Sequence, residues 1–465
     1  MKKAISRRDF LKLVGGAAFT VAGATLLPQF LRKTLLPEGV VAAQSSYPDP
    51  NLYFAGTDGW ISLPASPAIY SASLGGVKTH PDNLAPSPFT TYIFGFRNVT
   101  GLDDTQRANQ KNHAQHTAPM FWVDQFDPDD PQDFRMQITN LGLALRPDLF
   151  DAHTLHWHGF RNVIPFFDGE PTGSVAVTTG RTFQYIYRPR DPGTYMYHCH
   201  VEDVEHVHMG MNGPVHVRAL QNKYGNNAGA PVARYNGGSP SAPLGYVYND
   251  GVDLNHPAST AYDREFCMQL SEMWCDSHWA DAHIQLPEWS DYRVDFALLN
   301  GRTYPDTLAP NGSIDPFNPV RDPNGDLIAP DGRPDLQYQP LSALVNCNAG
   351  DRVLLRFANL GFREAAMTLA GIKMKVVGKD ATPMLGRDGT DTSYGASVVS
   401  FGAGESIDAI FTAPPKTGPG YDTYVLYNRE YERSNNLASG GFGGQRTEVR
   451  VYAAGTLPSQ SIPNT

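Results

Sequence analysis

Phe134-Arg-Met-Gln-Ile-Thr-Asn140-Leu-Gly142 returns later in the chain as Val353-Leu-Leu-Arg-Phe-Ala-Asn359-Leu-Gly361. Both copies alternate apolar and polar residues, as a half-buried strand does. Two more matches follow in the same order and at similar spacing. Gly180-Arg-Thr-Phe-Gln-Tyr-Ile-Tyr187 pairs with Gly404-Glu-Ser-Ile-Asp-Ala-Ile-Phe411, and Tyr195-Met-Tyr-His198 pairs with Tyr424-Val-Leu-Tyr427. Three ordered matches imply two diverged copies of one β-domain, at residues 44–220 and 261–456. Residues 221–260 are rich in Asn, Gly, Ser, Pro and Ala and read as a linker. Residues 457–465 read as a C-terminal tail. The expected fold class is all-β: two Greek-key sandwiches or barrels.

Composition agrees with short strands and many turns. The 465 residues include 44 Gly and 37 Pro, and 11% are aromatic. Residues 1–43 are set aside as an export leader. Ser6-Arg7-Arg8-Asp9-Phe10-Leu11-Lys12 resembles the twin-arginine signal, an apolar stretch runs from Leu13 to Leu27, and Val41-Ala42-Ala43 offers a cleavage site. This predicts a periplasmic or extracellular protein exported already folded, without stable membrane insertion after cleavage. The leader carries seven basic and two acidic residues, so its removal takes the formal charge from −10 to −15. Such a surface argues against nucleic acid as a partner and favours cations.

The chemistry concentrates in His153-Thr-Leu-His156-Trp-His158-Gly159 and His198-Cys199-His200, followed by His206, His208, Met209 and Met211. Successive side chains of a strand point to opposite faces. His156 and His158 therefore share one face, as do His198 and His200, while Cys199 points away from its neighbours. His153 joins Cys199 if the strand begins early enough. Eight of the fourteen histidines fall at positions 153–158 and 198–216. A thiolate with two imidazoles and a weak thioether makes a blue-copper electron-transfer site, called type 1. Four histidines suit copper better than a closed structural zinc site. Cys199 would give electrons a covalent path between the two groups.

These motifs, with Phe167-Asp168-Gly169 and Pro192-Gly193-Thr194-Tyr195, resemble those of the laccase-like multicopper oxidases, over about residues 85–456. The resemblance implies cupredoxin-like domains and a copper cofactor. It assigns His153, Cys199, His206 and Met211 as type 1 ligands, and His156, His158, His198 and His200 as half of a type 2/type 3 cluster that reduces O2 to water. His206 is preferred to His208 because only it leaves the family's four-residue gap before Met211. Asp168 matches an acidic residue that could pass protons to reduced oxygen.

The second copy breaks the pattern. Aligning Gly159 with Gly371 puts Ala365, Thr368 and Ala370 where the first copy has His153, His156 and His158. Tyr427, Asn428 and Arg429 replace His198, Cys199 and His200. The rest of a cluster would then come from a partner subunit in a homo-oligomer, from His113, His116, His278 or His283, or not at all. Those four are expected to be exposed loop histidines, and His216 to be structural. The leading functional expectation is an oxidase fed by a small-molecule or metal-ion electron donor, with O2 as acceptor. The alternatives are a copper nitrite reductase and a blue-copper electron carrier. Cys267, Cys275 and Cys347 leave a disulfide open in an exported protein.

Overall fold

The repeat in the sequence is a repeat of topology. The computed structural model describes residues 49–65, 67–224, 233–436 and 442–465, so the leader at 1–43 lies outside the described residues. In the first copy Leu52–Ile61 runs parallel to Phe134–Gly142, which pairs antiparallel with Thr182–Tyr187. In the second, Arg264–Met273 runs parallel to Arg352–Asn359, which pairs antiparallel with Ser406–Thr412. Thr91–Asn98 and Phe296–Leu299 hold equivalent outer places. The facing sheets also correspond. The first is ordered Phe121–Asp124, Asn212–Arg218, Gly193–His198, His156–His158; the second Val345–Asn348, Arg446–Tyr452, Asp422–Asn428, Ala365–Leu369, with Val398–Phe401 added at the edge. Each copy is thus a sandwich of two sheets with Greek-key connections.

Strand alternation is the local cause. Met136 and Ile138 point inward with Leu52, Phe54, Phe121, Trp157 and Tyr185, while Arg135 and Gln137 point out. The shared Asn-Leu-Gly also has a physical role. Asn140 Nδ2 donates to the carbonyls of Asp151 and Val177, each at 2.8 Å, and its Oδ1 accepts from Gly142 N. Asn359 does the same with Arg363, Gly402 and Gly361. In both copies a buried amide ties the strand exit to the next segment.

Two segments differ from expectation. The stretch read as a linker is packed along much of its described length: Leu244, Val247 and Tyr248 are buried against Leu354, Val377 and Ile410 of the second sandwich. The tail is likewise docked, because Arg264–Met273 leaves a partly unpaired edge. Glu265 N and Cys267 N donate to the side chains of Gln460 and Asn464, which covers that edge. All four cysteines are free and buried. No helix among the described residues is long and apolar enough to cross a membrane.

A buried polar network joins the sandwiches. Arg356, fully buried, bonds Glu265 at 2.7 Å and Asp408 at 3.3 Å, and its Nη1 reaches Thr194 Oγ1 at 3.2 Å. Thr194 lies on the strand that leads into His198 and Cys199.

Candidate metal centre

Strand register carries the separation of the two histidine groups. His156 pairs with His198, and His158 with Met196. Trp157 and Cys199 face the core and are fully buried, whereas His156, His158 and His200 are half-exposed on the opposite face. Cys199 N donates to Met211 O at 3.0 Å and His200 N to Thr154 Oγ1 at 2.9 Å, which pins the chain just past the strand end.

On the core side His153, Cys199 and His206 bring their donor atoms within 4.8 Å of one another, and all three are fully buried. His153 is not on the strand itself. A two-residue bridge to Val177 holds it, and Asn140 anchors Val177 in turn. His206 Nδ1 lies 3.3 Å from Cys199 Sγ and His153 Nδ1 lies 4.0 Å away. Burial opposes a charged thiolate, but His206, then the hydrogen bonds from His153 and His206, outweigh it and hold the Cys199 thiol well below its usual range. Burial would also depress His206, yet the Cys199 and Asp151 charges raise it. Two imidazole nitrogens and a thiolate, buried and converging, fit a single copper ion by donor chemistry.

Gly56 makes room for this arrangement. A Cβ there would sit 2.7 Å from His153 Cδ2 and 3.5 Å from Met211 Cε, which also places the end of Met211 beside the His153 ring. Gly56→Ala is therefore expected to displace His153, weaken the blue absorbance of copper-loaded protein and cost about 1–3 kcal/mol of stability. Urea denaturation of the copper-free protein, beside the visible spectrum, checks both.

His206 rather than His208 faces Cys199. His208 turns away, and its Nε2 accepts the Trp274 backbone N–H at 3.2 Å. The far nitrogen of His206 has a neighbour that the sequence did not reveal, Asp151, with Nε2 and Oδ2 3.5 Å apart. A carboxylate behind a ligating histidine fixes its tautomer. Exposed Glu202 stands within 4.8 Å of the same pair. Glu205 and buried Asp281, a residue of the second copy, add to this acidic surround.

On the other face His156, His158 and His198 offer one nitrogen each within 4.8 Å. His156 Nδ1 bonds the Asp168 carbonyl at 2.7 Å and His198 Nδ1 the Cys199 carbonyl at 2.8 Å, so their Nε2 lone pairs are free. Burial, foremost, lowers all three pKa values, that of His198 to about 3, so these imidazoles are neutral and ready to bind metal at pH 7. His200 lies beside this trio, its ring centre 5.0 Å from that of His156. The Asp168 carboxylate lies 3.4 Å from His156 Nδ1. A cavity of about 360 Å³ runs from His158 and Tyr195 to Asp380 and Ser406 of the second sandwich.

The equivalent place in the second sandwich has no ligands. Thr368 pairs with Tyr427 where His156 pairs with His198. The four extra histidines are not exposed, which corrects the sequence expectation. His116 and His278 are buried, bonding Ser271 and the Tyr92 carbonyl, while His113 and His283 bond Asp326 and Asp82. The cause is tertiary: the helix Cys275–Ala282 carries His278, with His283 just past it, onto the first sandwich, while His116 meets Ser271 of the strand Arg264–Met273 and His113 meets Asp326.

Comparison with known proteins agrees with this geometry. Residues 139–222, which hold every proposed ligand, match the multicopper oxidase family. The fold is similar to that of the blue copper oxidase from Nitrosomonas europaea, at 18% identity over 86% of this chain and 85% of that one, with a TM-score of 0.51. It is similar too to the multicopper oxidase mgLAC, at 18% identity over 88% and 87%, also with a TM-score of 0.51. No curated protein sequence matches the chain. The candidate ligands thus all lie inside a segment that matches the multicopper oxidase family, in a chain whose fold is similar to that of multicopper oxidases, and their donor chemistry fits copper.

Proposed function

We propose that His153, Cys199, His206 and Met211 hold a type 1 copper, and that His156, His158, His198 and His200 hold the copper of an oxygen-reducing site. Bound there, copper supplies one-electron redox chemistry that takes electrons from a reduced donor and reduces O2 to water. The observation that carries this reading is the back-to-back placement of the two groups, with Cys199 bonded through the backbone to His198 and His200. The chain's own residues do the rest. Burial of Cys199 keeps water from the thiolate. The Asp168 carbonyl sets the tautomer of His156, and the Asp168 carboxylate stands 3.4 Å from the same nitrogen. The cavity at His158 offers a small molecule a way in. Because Thr368 and Tyr427 replace ligands, a full cluster would draw on a second copy of the chain, in a homo-oligomer. The twin-arginine-like leader supports export to the periplasm or cell exterior.

The test is oxygen consumption by copper-loaded protein with a phenol, Fe(II), Mn(II) or Cu(I) as donor; no uptake with any of them would sink the oxidase. One observation favours a second reading, a nitrite reductase with a single type 2 copper: His156, His158 and His198 are already close enough to share one ion within this chain. Metal analysis separates the two. More than two coppers per chain support the oxidase, and two support the reductase.

Asp151 and Glu202 beside His206 favour a cationic donor. Glu202→Gln is expected to raise KM for a cationic donor about 2–5-fold while leaving kcat and the KM of a neutral phenol unchanged. Steady-state kinetics with both donors decide it. An equal change for the phenol would remove the electrostatic argument.

A further inference from the structure

The second sandwich has no copper ligands at the equivalent positions, yet it grips the segment that carries two ligands of the thiolate site. We propose that it acts as a positioning clamp on this segment, through His208 and Asn212, and so sets where His206 and Met211 stand relative to Cys199. The proposal rests on those two residues being type 1 ligands.

His206 lies on the short helix Asp203–Met209, and Met211 follows after Gly210. That turn is tight. Gly210 has φ +122°, and a Cβ on it would meet Phe94 O at 2.7 Å and His116 Nδ1 at 2.9 Å. Inside the segment, Met211 N donates to His206 O at 2.9 Å, and Asn212 Nδ2 donates to Val207 O at 2.7 Å. The helix, the turn and the start of the strand Asn212–Arg218 therefore move as one piece. Its contacts with the second sandwich fall on either side of Gly210 and Met211, at His208 and Asn212. His208 Nε2 accepts from Trp274 N at 3.2 Å, and Asn212 Oδ1 accepts from Gln269 Nε2 at 3.3 Å. Gln269 sits on the strand Arg264–Met273, paired along its length with Arg352–Asn359 of the second sandwich, and Trp274 directly follows it. All four residues are buried, so water cannot substitute for either bond. One strand of the second sandwich, with the residue that follows it, thus holds the segment on both sides of Met211 and within two residues of His206. A blue-copper site is sensitive to such a hold, because its potential follows the weak axial ligand and the surroundings of the sulfur.

The test compares the full-length, copper-loaded protein with His208→Leu, Gln269→Leu and His208→Gln, whose side-chain oxygen can still accept from Trp274 N. The readouts are the blue absorption band, the reduction potential of the blue copper and its affinity, beside urea denaturation of the copper-free forms. Both leucine variants are expected to shift the band and the potential and to lower type 1 copper affinity about 10–100-fold, with His208→Gln returning towards the parent. If the leucine variants lose stability but keep the parent's band, potential and affinity, the contacts are merely structural and the proposal falls. Should His208→Leu fail to fold, Gln269→Leu alone decides between these outcomes. A parent protein with no blue band would overturn the ligand assignment itself, whereas a blue parent with unmoved variants overturns only the clamp.

Discussion

Cys199→Ser should abolish the blue colour, remove about one copper per chain and leave the histidine-bound copper in place. A serine hydroxyl is a far poorer ligand for copper than a soft thiolate, and the Cys199 thiol is already biased towards the thiolate by His206 and His153. The site is fully buried, so nothing from solvent can replace the sulfur. The other face should survive because the anchors of its histidines are backbone carbonyls, those of Asp168 and of residue 199 itself, and the substitution keeps both. Donor-driven oxygen uptake should fall by ~10³-fold or more, since the two sites work as a unit. Visible spectroscopy and metal analysis of parent and variant are sufficient. A variant that stays blue would show that Cys199 is not the thiolate ligand.

The largest effect expected on stability lies away from copper. Arg356→Met takes the guanidinium from buried Asp408 and leaves Glu265 only the more distant Arg218, 3.8 Å away, which should cost about 3–5 kcal/mol. The urea midpoint of the copper-free protein measures it. The effect should also depend on pH in a defined direction. Burial alone would raise the Glu265 carboxyl, but Arg356, then Arg218, outweigh it and hold it well below the usual glutamate range, at about 2. A carboxylate depressed in the folded state adds stability above its unfolded pKa and loses it as pH falls through the folded value. The gap between parent and variant should therefore be full at pH 7 and narrow below about pH 4.5. A gap independent of pH would mean that lost packing, not charge, dominates.

The copper faces were legible for a geometric reason. His156 and His198 lie on neighbouring strands with a side-chain period of two, so spacing alone assigns them to one face and Cys199 to the other. His153 was a weaker inference, because it precedes the strand and depends on the bridge to Val177. Asp151 carried no motif, and nothing local announces that it meets His206. His116 and His278 were misread as exposed since their burial depends on the second sandwich lying against the first, through its strand Arg264–Met273 and Tyr338 for His116 and the helix Cys275–Ala282 for His278. The packing of residues 244–248 and of Gln460 and Asn464 was hidden in the same way, by contacts far apart along the chain.

By itself the sequence determined two β-domains from one repeated strand pattern, the division of the histidines and Cys199 between two faces and the absence of those residues from the matching positions of the second copy. These follow from local periodicity and from residue type, which need no knowledge of distant contacts. Only the tertiary structure decided that His206 and not His208 turns to Cys199, that Asp151 and Glu202 surround its far nitrogen, and that the second sandwich holds the stretch after His206 at His208 and Asn212. Each of these depends on which surfaces the folded chain presses together, and a side chain's partner across a sheet or a domain boundary is set by that packing rather than by its neighbours in sequence.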